Sequence, residues 1–287
     1  TTEIYTLSLH DALPISTGAG SLIALLSKKT TPRFLSLSLG FSAGVMIFVS
    51  LVELFNEARA QLALLWGESN SYWGAIGGFF LGMGIIAGID RLVPAAVNPH
   101  EARAGEAARF EATDSKACDE FEGIRGRRLL RTGVLTAIVV ALHNLPEGIA
   151  TFFAGLQDRN LGITIALAVA IHNIPEGIAI SVPVYYSTGS RAKAFWYSFA
   201  SGLSEPIGAI LGYLLLMPLL GGPTFGIVLA SVAGIMIYIS LDELLPSARE
   251  YGKSHWAMLG LAGGMGVMAI RSEERRVGKE GRSRGSP

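Results

Sequence analysis

Val140-Ala-Leu-His-Asn-Leu-Pro-Glu-Gly-Ile-Ala150 recurs 29 residues later as Val169-Ala-Ile-His-Asn-Ile-Pro-Glu-Gly-Ile-Ala179. Each copy lies near the middle of an apolar run, about 131–154 and 161–186, long enough to cross a hydrocarbon core of roughly 30 Å. An ionisable group at that depth is expensive and normally marks a pathway or a site. Two identical polar sets at equal depth are hard to explain as packing. The chain is therefore read as an all-α, polytopic membrane protein built round this pair.

The rest of the sequence supports that reading. Half of the 287 residues are hydrophobic, 16% are charged, and the mean hydropathy is +0.44, more apolar surface than a soluble domain of this size buries in one core. Further apolar runs cover about 34–56, 72–96, 194–219 and 224–247. Two weaker segments flank them, one ending at Leu26 and one covering about 256–270. The opening, with Pro14, is too polar for the first half of a span, and the last segment stops at Ile270 before a charged stretch. The first and last helices are thus expected to be truncated, with 1–16 and 271–287 as non-native flanks of a transmembrane domain over 17–270. The formal net charge is zero, so no global field points to nucleic acid. Cys118 stands alone, which excludes an intramolecular disulfide and a thiolate-rich metal knot.

Basic residues set the topology. If eight segments alternate, one side collects fifteen of them, including Lys28, Arg33, Arg128, Arg191 and Arg249, whereas the other holds Arg59 and Arg159 apart from the terminal stretch. The rich side is expected in the cytoplasm, together with a hydrophilic loop at about 97–130, and both termini outside. That loop carries His100 among seven acidic residues and is read as a solvated linker. A second repeat, Ala43-Gly-Val-Met-Ile-Phe-Val-Ser-Leu-Val-Glu53-Leu against Ala233-Gly-Ile-Met-Ile-Tyr-Ile-Ser-Leu-Asp-Glu243-Leu, falls on spans of opposite direction. The chain reads as an inverted repeat, an architecture in which the transported species binds near the midplane where the halves meet.

The chemistry follows from side chains. His143 and Glu147 are four residues apart and share a helical face, as do His172 and Glu176, so each pair is expected to grip one ion. Pro146 and Pro175 leave the carbonyls of Leu142 and Ile171 without their helical donors, and Gly148 and Gly177 are expected to bring the two helices close. With Asn144 and Asn173 the set offers imidazole, carboxylate and amide without thiolate, which suits zinc, iron(II), manganese or cobalt. Glu205, mid-span between Ser204 and Pro206, is a candidate further ligand. Glu53, Asp242 and Glu243 lie nearer span ends and are read as stations along the ion's path.

These motifs resemble those of the ZIP family of metal transporters, most closely its bacterial ZupT-type members, over about 18–270. The resemblance implies eight helices in a 3+2+3 arrangement, a bacterial inner-membrane location, uptake of divalent metal into the cytoplasm, and a homodimer. It also implies a two-metal centre between the fourth and fifth helices. His143, Glu147, His172 and Glu176 would form one metal site; Asn144, Asn173 and Glu205, with Glu147 and Glu176 bridging, its neighbour. The metal is cargo and no cofactor is expected. An intramembrane metallohydrolase is the rival of another class, but the chain lacks a His-Glu-x-x-His pattern; a metal-gated channel would share the site and differ in turnover. Because such ligands bind metal deprotonated, uptake is expected to fall as pH drops from about 7.5 to 5. A zinc flux that stays flat over that interval in proteoliposomes contradicts the expectation.

Overall fold

A computed structural model describes residues 2–26, 31–92, 117–157, 159–216, 223–252 and 254–284. Among the described residues all regular structure is helical. The α-helices are α1 (Thr2–Leu26), α2 (Pro32–Phe48), α3 (Phe55–Leu92), α4 (Ala117–Gln157), α5 (Arg159–Thr188), α6 (Arg191–Gly202), α7 (Ser204–Leu211), α8 (Thr224–Ile239), α9 (Leu245–Tyr251) and α10 (Ser254–Arg284). Three π-helical turns extend or join them, at Val49–Leu54, Gly212–Leu216 and Ser240–Leu244. Four stretches are long and apolar enough to cross a membrane: Pro32–Arg91, Thr136–Leu156, Arg159–Thr188 and Thr224–Glu250.

The first of these, 60 residues long, is two rods. Gly67 has φ 75° and ψ 167°, a conformation that glycine adopts without the steric cost of a Cβ. The chain reverses there. Phe55 and Phe79 stack edge to face with centroids 5.9 Å apart, although a continuous helix would separate residues 24 apart by about 36 Å. Arg59 likewise reaches Glu68 at 2.9 Å and stands 6.0 Å from the Tyr72 ring centroid. The second and third expected spans are recovered as the two arms of this hairpin.

Some boundaries differ from the expectation. The loop at about 97–130 lies outside the described residues as far as 116, His100 included, but 117–130 is already helix, the start of α4. The sixth span is interrupted at Leu203, between α6 and α7, because Pro206 has no N–H to return to the Gly202 carbonyl. Both polar flanks continue their helices, α1 back to Thr2 through Pro14 and α10 on to Arg284. Glutamate and arginine are good helix formers, so backbone geometry persists where the apolar run ends.

The second repeat is visible as matched structure. Within 43–54 and 233–244 both copies turn π-helical, with the N–H of Phe55 on the Ser50 carbonyl and that of Leu245 on the Ser240 carbonyl. Ser50 and Ser240 each donate to the carbonyl four residues back, at 2.7 Å. Their neighbours match too. A Cβ on Gly260 or Gly264 of α10 would strike the carbonyls of Leu37 or Phe41 in α2; one on Gly82 of α3 would strike that of Ser231 in α8, and one on Gly78 would press on that of Ile227 at 3.1 Å. The seams α2/α10 and α3/α8 are thus the same backbone-to-backbone contact used twice, the packing that helices adopt in lipid, where apolar side chains gain little by leaving the solvent.

The remaining helices form a second group. α5 lies between α4 and α1, α4 also packs on α7, and α1 on α6 and α7. Phe153 of α4 meets Phe225 of α8 edge to face at 5.9 Å, and Ser42 of α2 donates to the His172 carbonyl at 3.3 Å. These contacts join the two groups beside the duplicated motif. Because a Cβ on Gly234 would stand 1.9 Å from the Phe79 carbonyl oxygen, Gly234→Ala is expected to destabilise the detergent-solubilised protein by about 1–3 kcal/mol. Gly266, with nothing within 4 Å of its virtual Cβ, should tolerate alanine or gain up to about 1 kcal/mol. Thermal unfolding of both variants checks the ranking.

Candidate metal centre

The duplicated motif is carried by α4 and α5, which form an antiparallel hairpin packed along their length. Near its closed end Gly162 comes so close to Gly155 that a Cβ would stand 2.4 Å from the facing Cα. The motif glycines act differently from the expectation. Gly148 faces the Glu205 carbonyl of α7 and Gly177 faces the Thr17 carbonyl of α1, each leaving no room for a Cβ. They admit the outer helices rather than one another.

The ionisable groups pair across the hairpin. His143 Nε2 lies 3.2 Å from Glu176 Oε1, and His172 Nε2 lies 3.0 Å from Glu147 Oε1. Each histidine thus faces the glutamate of the other copy rather than that of its own helix. Side chains four apart do share a face, but each leans toward the facing helix, and antiparallel packing sets the His of one copy level with the Glu of the other. All four side chains are about 1% exposed.

Beside these pairs Glu205 receives both asparagines. Its Oε1 accepts from Asn144 Nδ2 at 3.1 Å and from Asn173 Nδ2, while Asn144 Nδ2 also approaches the Ser201 carbonyl at 3.5 Å. The seven predicted residues His143, Asn144, Glu147, His172, Asn173, Glu176 and Glu205 are therefore one contiguous, fully buried cluster. Three carboxyl groups stand there against two imidazoles. Such an excess of acid away from water is costly unless a cation or further donors balance it.

Partner accounting sharpens the point. Of the eleven buried side-chain nitrogen and oxygen atoms without a hydrogen-bond partner among the described residues, nine belong to this cluster. Two of the nine, His143 Nε2 and Glu176 Oε1, face each other in the 3.2 Å cross pair without hydrogen-bond geometry; the other seven are His143 Nδ1, His172 Nδ1, Glu147 Oε2, Glu176 Oε2, Glu205 Oε2 and the amide oxygens of Asn144 and Asn173. Buried polar atoms rarely go unpaired. Ligands of one tetrahedral ion with bonds near 2.0–2.2 Å would sit about 3.3 Å apart, close to the imidazole–carboxylate spacings of the cross pairs. No three His, Cys, Asp or Glu side chains among the described residues already surround a common point; the donors stand in twos.

Other predicted residues fall elsewhere. Glu53 and Glu243 lie on the matched π turns and are only 9% exposed. Asp242 is half-buried. Sequence reasoning passed over Thr17, which is fully buried against Gly177 and Gly202. Its signal is faint, a glycine three residues on in both Thr17-Gly-Ala-Gly20 and Glu205-Pro-Ile-Gly208.

The family model described as ZIP Zinc transporter matches residues 95–272. The zinc transporter ZupT of Clostridium perfringens is 52% identical over 259 residues, covering 89% of this chain and 90% of the relative. That of Lysinibacillus sphaericus is 53% identical over 260 residues, 89% of this chain and 92% of the relative. That of Nitratidesulfovibrio vulgaris is 54% identical over 256 residues, 89% and 91% respectively.

The cross pairing has a measurable signature. In a double-mutant cycle with chelator present, His143→Ala and Glu176→Ala should couple by about 0.5–3 kcal/mol in unfolding free energy. His143→Ala and Glu147→Ala, neighbours on one helix, should couple less, and the reverse order contradicts the geometry.

Proposed function

Because the chain belongs to the ZIP family of zinc transporters, we propose that it is a carrier that takes zinc up into the bacterial cytoplasm through the cluster between α4 and α5. The family is one of transporters rather than enzymes. His143, Glu147, His172 and Glu176 hold one ion. Asn144, Asn173 and Glu205 hold a second, with Glu147 and Glu176 bridging. Iron(II), manganese and cobalt are accepted by the same nitrogen and oxygen donors.

One observation carries this reading: seven buried nitrogen and oxygen atoms without a partner among the described residues, together with the facing His143 Nε2 and Glu176 Oε1, meet where the two motif copies face each other. A cation shedding its hydration shell needs replacement ligands already in place, and these atoms supply them. The mixture of imidazole, carboxylate and amide is weaker than a thiolate cage, which lets the ion leave as well as enter. The carbonyls of Leu142 and Ile171, deprived of their helical donors by Pro146 and Pro175, add oxygen at the same depth. Glu243 and Glu53, each buried on its π turn, together with Asp242, mark the route to or from the cluster. The excess of basic residues on one side sets the orientation, cytoplasmic loop inside and both termini outside, in the inner membrane.

In proteoliposomes zinc uptake is expected to saturate with concentration and to be competed by the other three metals. Glu176→Ala should lower the initial rate by at least about tenfold at equal incorporation of protein. Flux that rises linearly without saturation would favour a gated channel, and uptake indifferent to Glu176→Ala would remove the cluster from the path.

A further inference from the structure

The inverted repeat extends to α1 and α7, and it assigns a counterpart to Glu205. A Cβ on Gly148 would meet the Glu205 carbonyl and one on Gly208 the Leu145 carbonyl; equally, a Cβ on Gly177 would meet the Thr17 carbonyl and one on Gly20 the Ile174 carbonyl. The two quartets superpose in sequence with one offset of 29 between α4 and α5 and another of 188 between α1 and α7. Under that correspondence Gly202 pairs with Pro14, and these two are themselves in contact, with the virtual Cβ of Gly202 3.0 Å from Pro14 Cα. The pseudo-twofold axis therefore passes between them. It also passes between the cross pairs His143–Glu176 and His172–Glu147, which exchange under the same operation, and near Glu205 Oε1, which both asparagines share. Thr17 and Glu205 each lie three residues, about one helical turn, beyond that contact in their own chain direction, and the backbone carbonyl of each faces a motif glycine, Gly177 and Gly148 respectively.

We propose that Thr17 is a further cation-binding residue, whose Oγ1 supplies a neutral oxygen to the second cation position from the side opposite Glu205. The inference rests on the reading of the α4/α5 cluster as a cation site. Thr17 is 0% exposed, and its Oγ1 has no hydrogen-bond partner. Among the buried helical hydroxyls described, Ser36 Oγ, against Gly252, shares that state, whereas Ser50, Thr151, Thr164 and Ser240 each donate to the carbonyl four residues back at 2.7–2.8 Å. Thr17 Oγ1 is instead turned toward Gly202, 2.9 Å from that residue's virtual Cβ. Ser198 Oγ, within 3.1 Å of the Thr17 carbonyl and 3.3 Å of the Gly177 carbonyl, holds the backbone on which it sits. The repeat thus breaks its own symmetry at one point. A carboxylate faces the second ion from α7 and a hydroxyl from α1, so the ion is held by one acid where perfect symmetry would give two. A second acid would hold the ion more tightly and release it more slowly.

The test is calorimetric titration of the full-length protein in detergent with zinc alone as the probe, on Thr17→Val, Thr17→Ser, Thr17→Asp and, as reference, Glu205→Ala. Thr17→Val, which swaps the hydroxyl for a methyl of the same shape, is expected to weaken the weaker zinc-binding step about three- to tenfold, and Thr17→Ser to restore it. Thr17→Asp should tighten that step and lower the maximal uptake rate. Should the aspartate variant fail to fold, judged by zinc-free thermal unfolding, the valine and serine pair decides. Loss of the weaker step in Glu205→Ala with an unaltered isotherm in Thr17→Val overturns the assignment of Thr17 and leaves the cation site standing. An unaltered isotherm in Glu205→Ala as well overturns the two-ion reading itself.

Discussion

Everything in this fold answers to one difficulty, the presence of imidazole and carboxyl groups halfway along helices that are otherwise apolar. A lone copy of the motif would strand His143 and Glu147 at a depth where neither water nor backbone can satisfy them. Duplication in an antiparallel hairpin gives each histidine the other copy's glutamate, 3.0–3.2 Å away. That solves the problem in part. The atoms left over, Glu205 Oε2, Glu147 Oε2 and the asparagine oxygens among them, are the groups that a desolvated cation would use. On the proposed reading stability and binding draw on the same side chains, so a cluster made fully self-sufficient would have no atoms left for a cation.

Packing around the cluster relies on the absence of side chains. Gly148 and Gly177 let α7 and α1 lie with their backbones against the motif helices. Of those two helices α7 brings Glu205 to the asparagines of the cluster, and α1 brings Thr17 against Gly177 and Gly202. The same device recurs at the outer seams, where Gly260, Gly264, Gly78 and Gly82 meet backbone carbonyls. Since lipid offers apolar side chains as good an environment as protein does, close contact and dispersion set the helix positions. A methyl group in the wrong place therefore matters more here than the loss of one from an open face.

Much of this was legible in the residues. Hydropathy located the four stretches long and apolar enough to cross, the HNxPEG pair located the buried polar cluster, and the seven residues singled out lie together in it because depth along the helix and face of the helix are both read directly from sequence position. What the sequence withheld was relational. Within-helix spacing suggested His143 with Glu147, yet which helix a shared face addresses depends on the packing of a neighbour. The motif glycines are readable as close contacts, but not as contacts with α1 and α7. Thr17 escaped because its equivalence to Glu205 rests on matched backbone positions rather than on matched residue types. The α6/α7 interruption and the helical start of α4 at Ala117 were boundary matters, decided by Pro206 and by propensity beneath a polar composition.

The π turns have a quieter consequence for how the rods keep their sides. Nineteen residues separate buried Leu39 from buried Ala58, and nineteen separate buried Leu229 from buried Ala248. At about 100° per residue an uninterrupted α-helix would bring the second member of each couple round by roughly 100° from the first. One surplus residue in the hydrogen-bond ladder between them cancels that drift. Val49–Leu54 and Ser240–Leu244 thus behave as phase correctors, allowing a single inner stripe to persist over a rod longer than its own periodicity would permit. The two acids Glu53 and Glu243 ride on the correctors themselves.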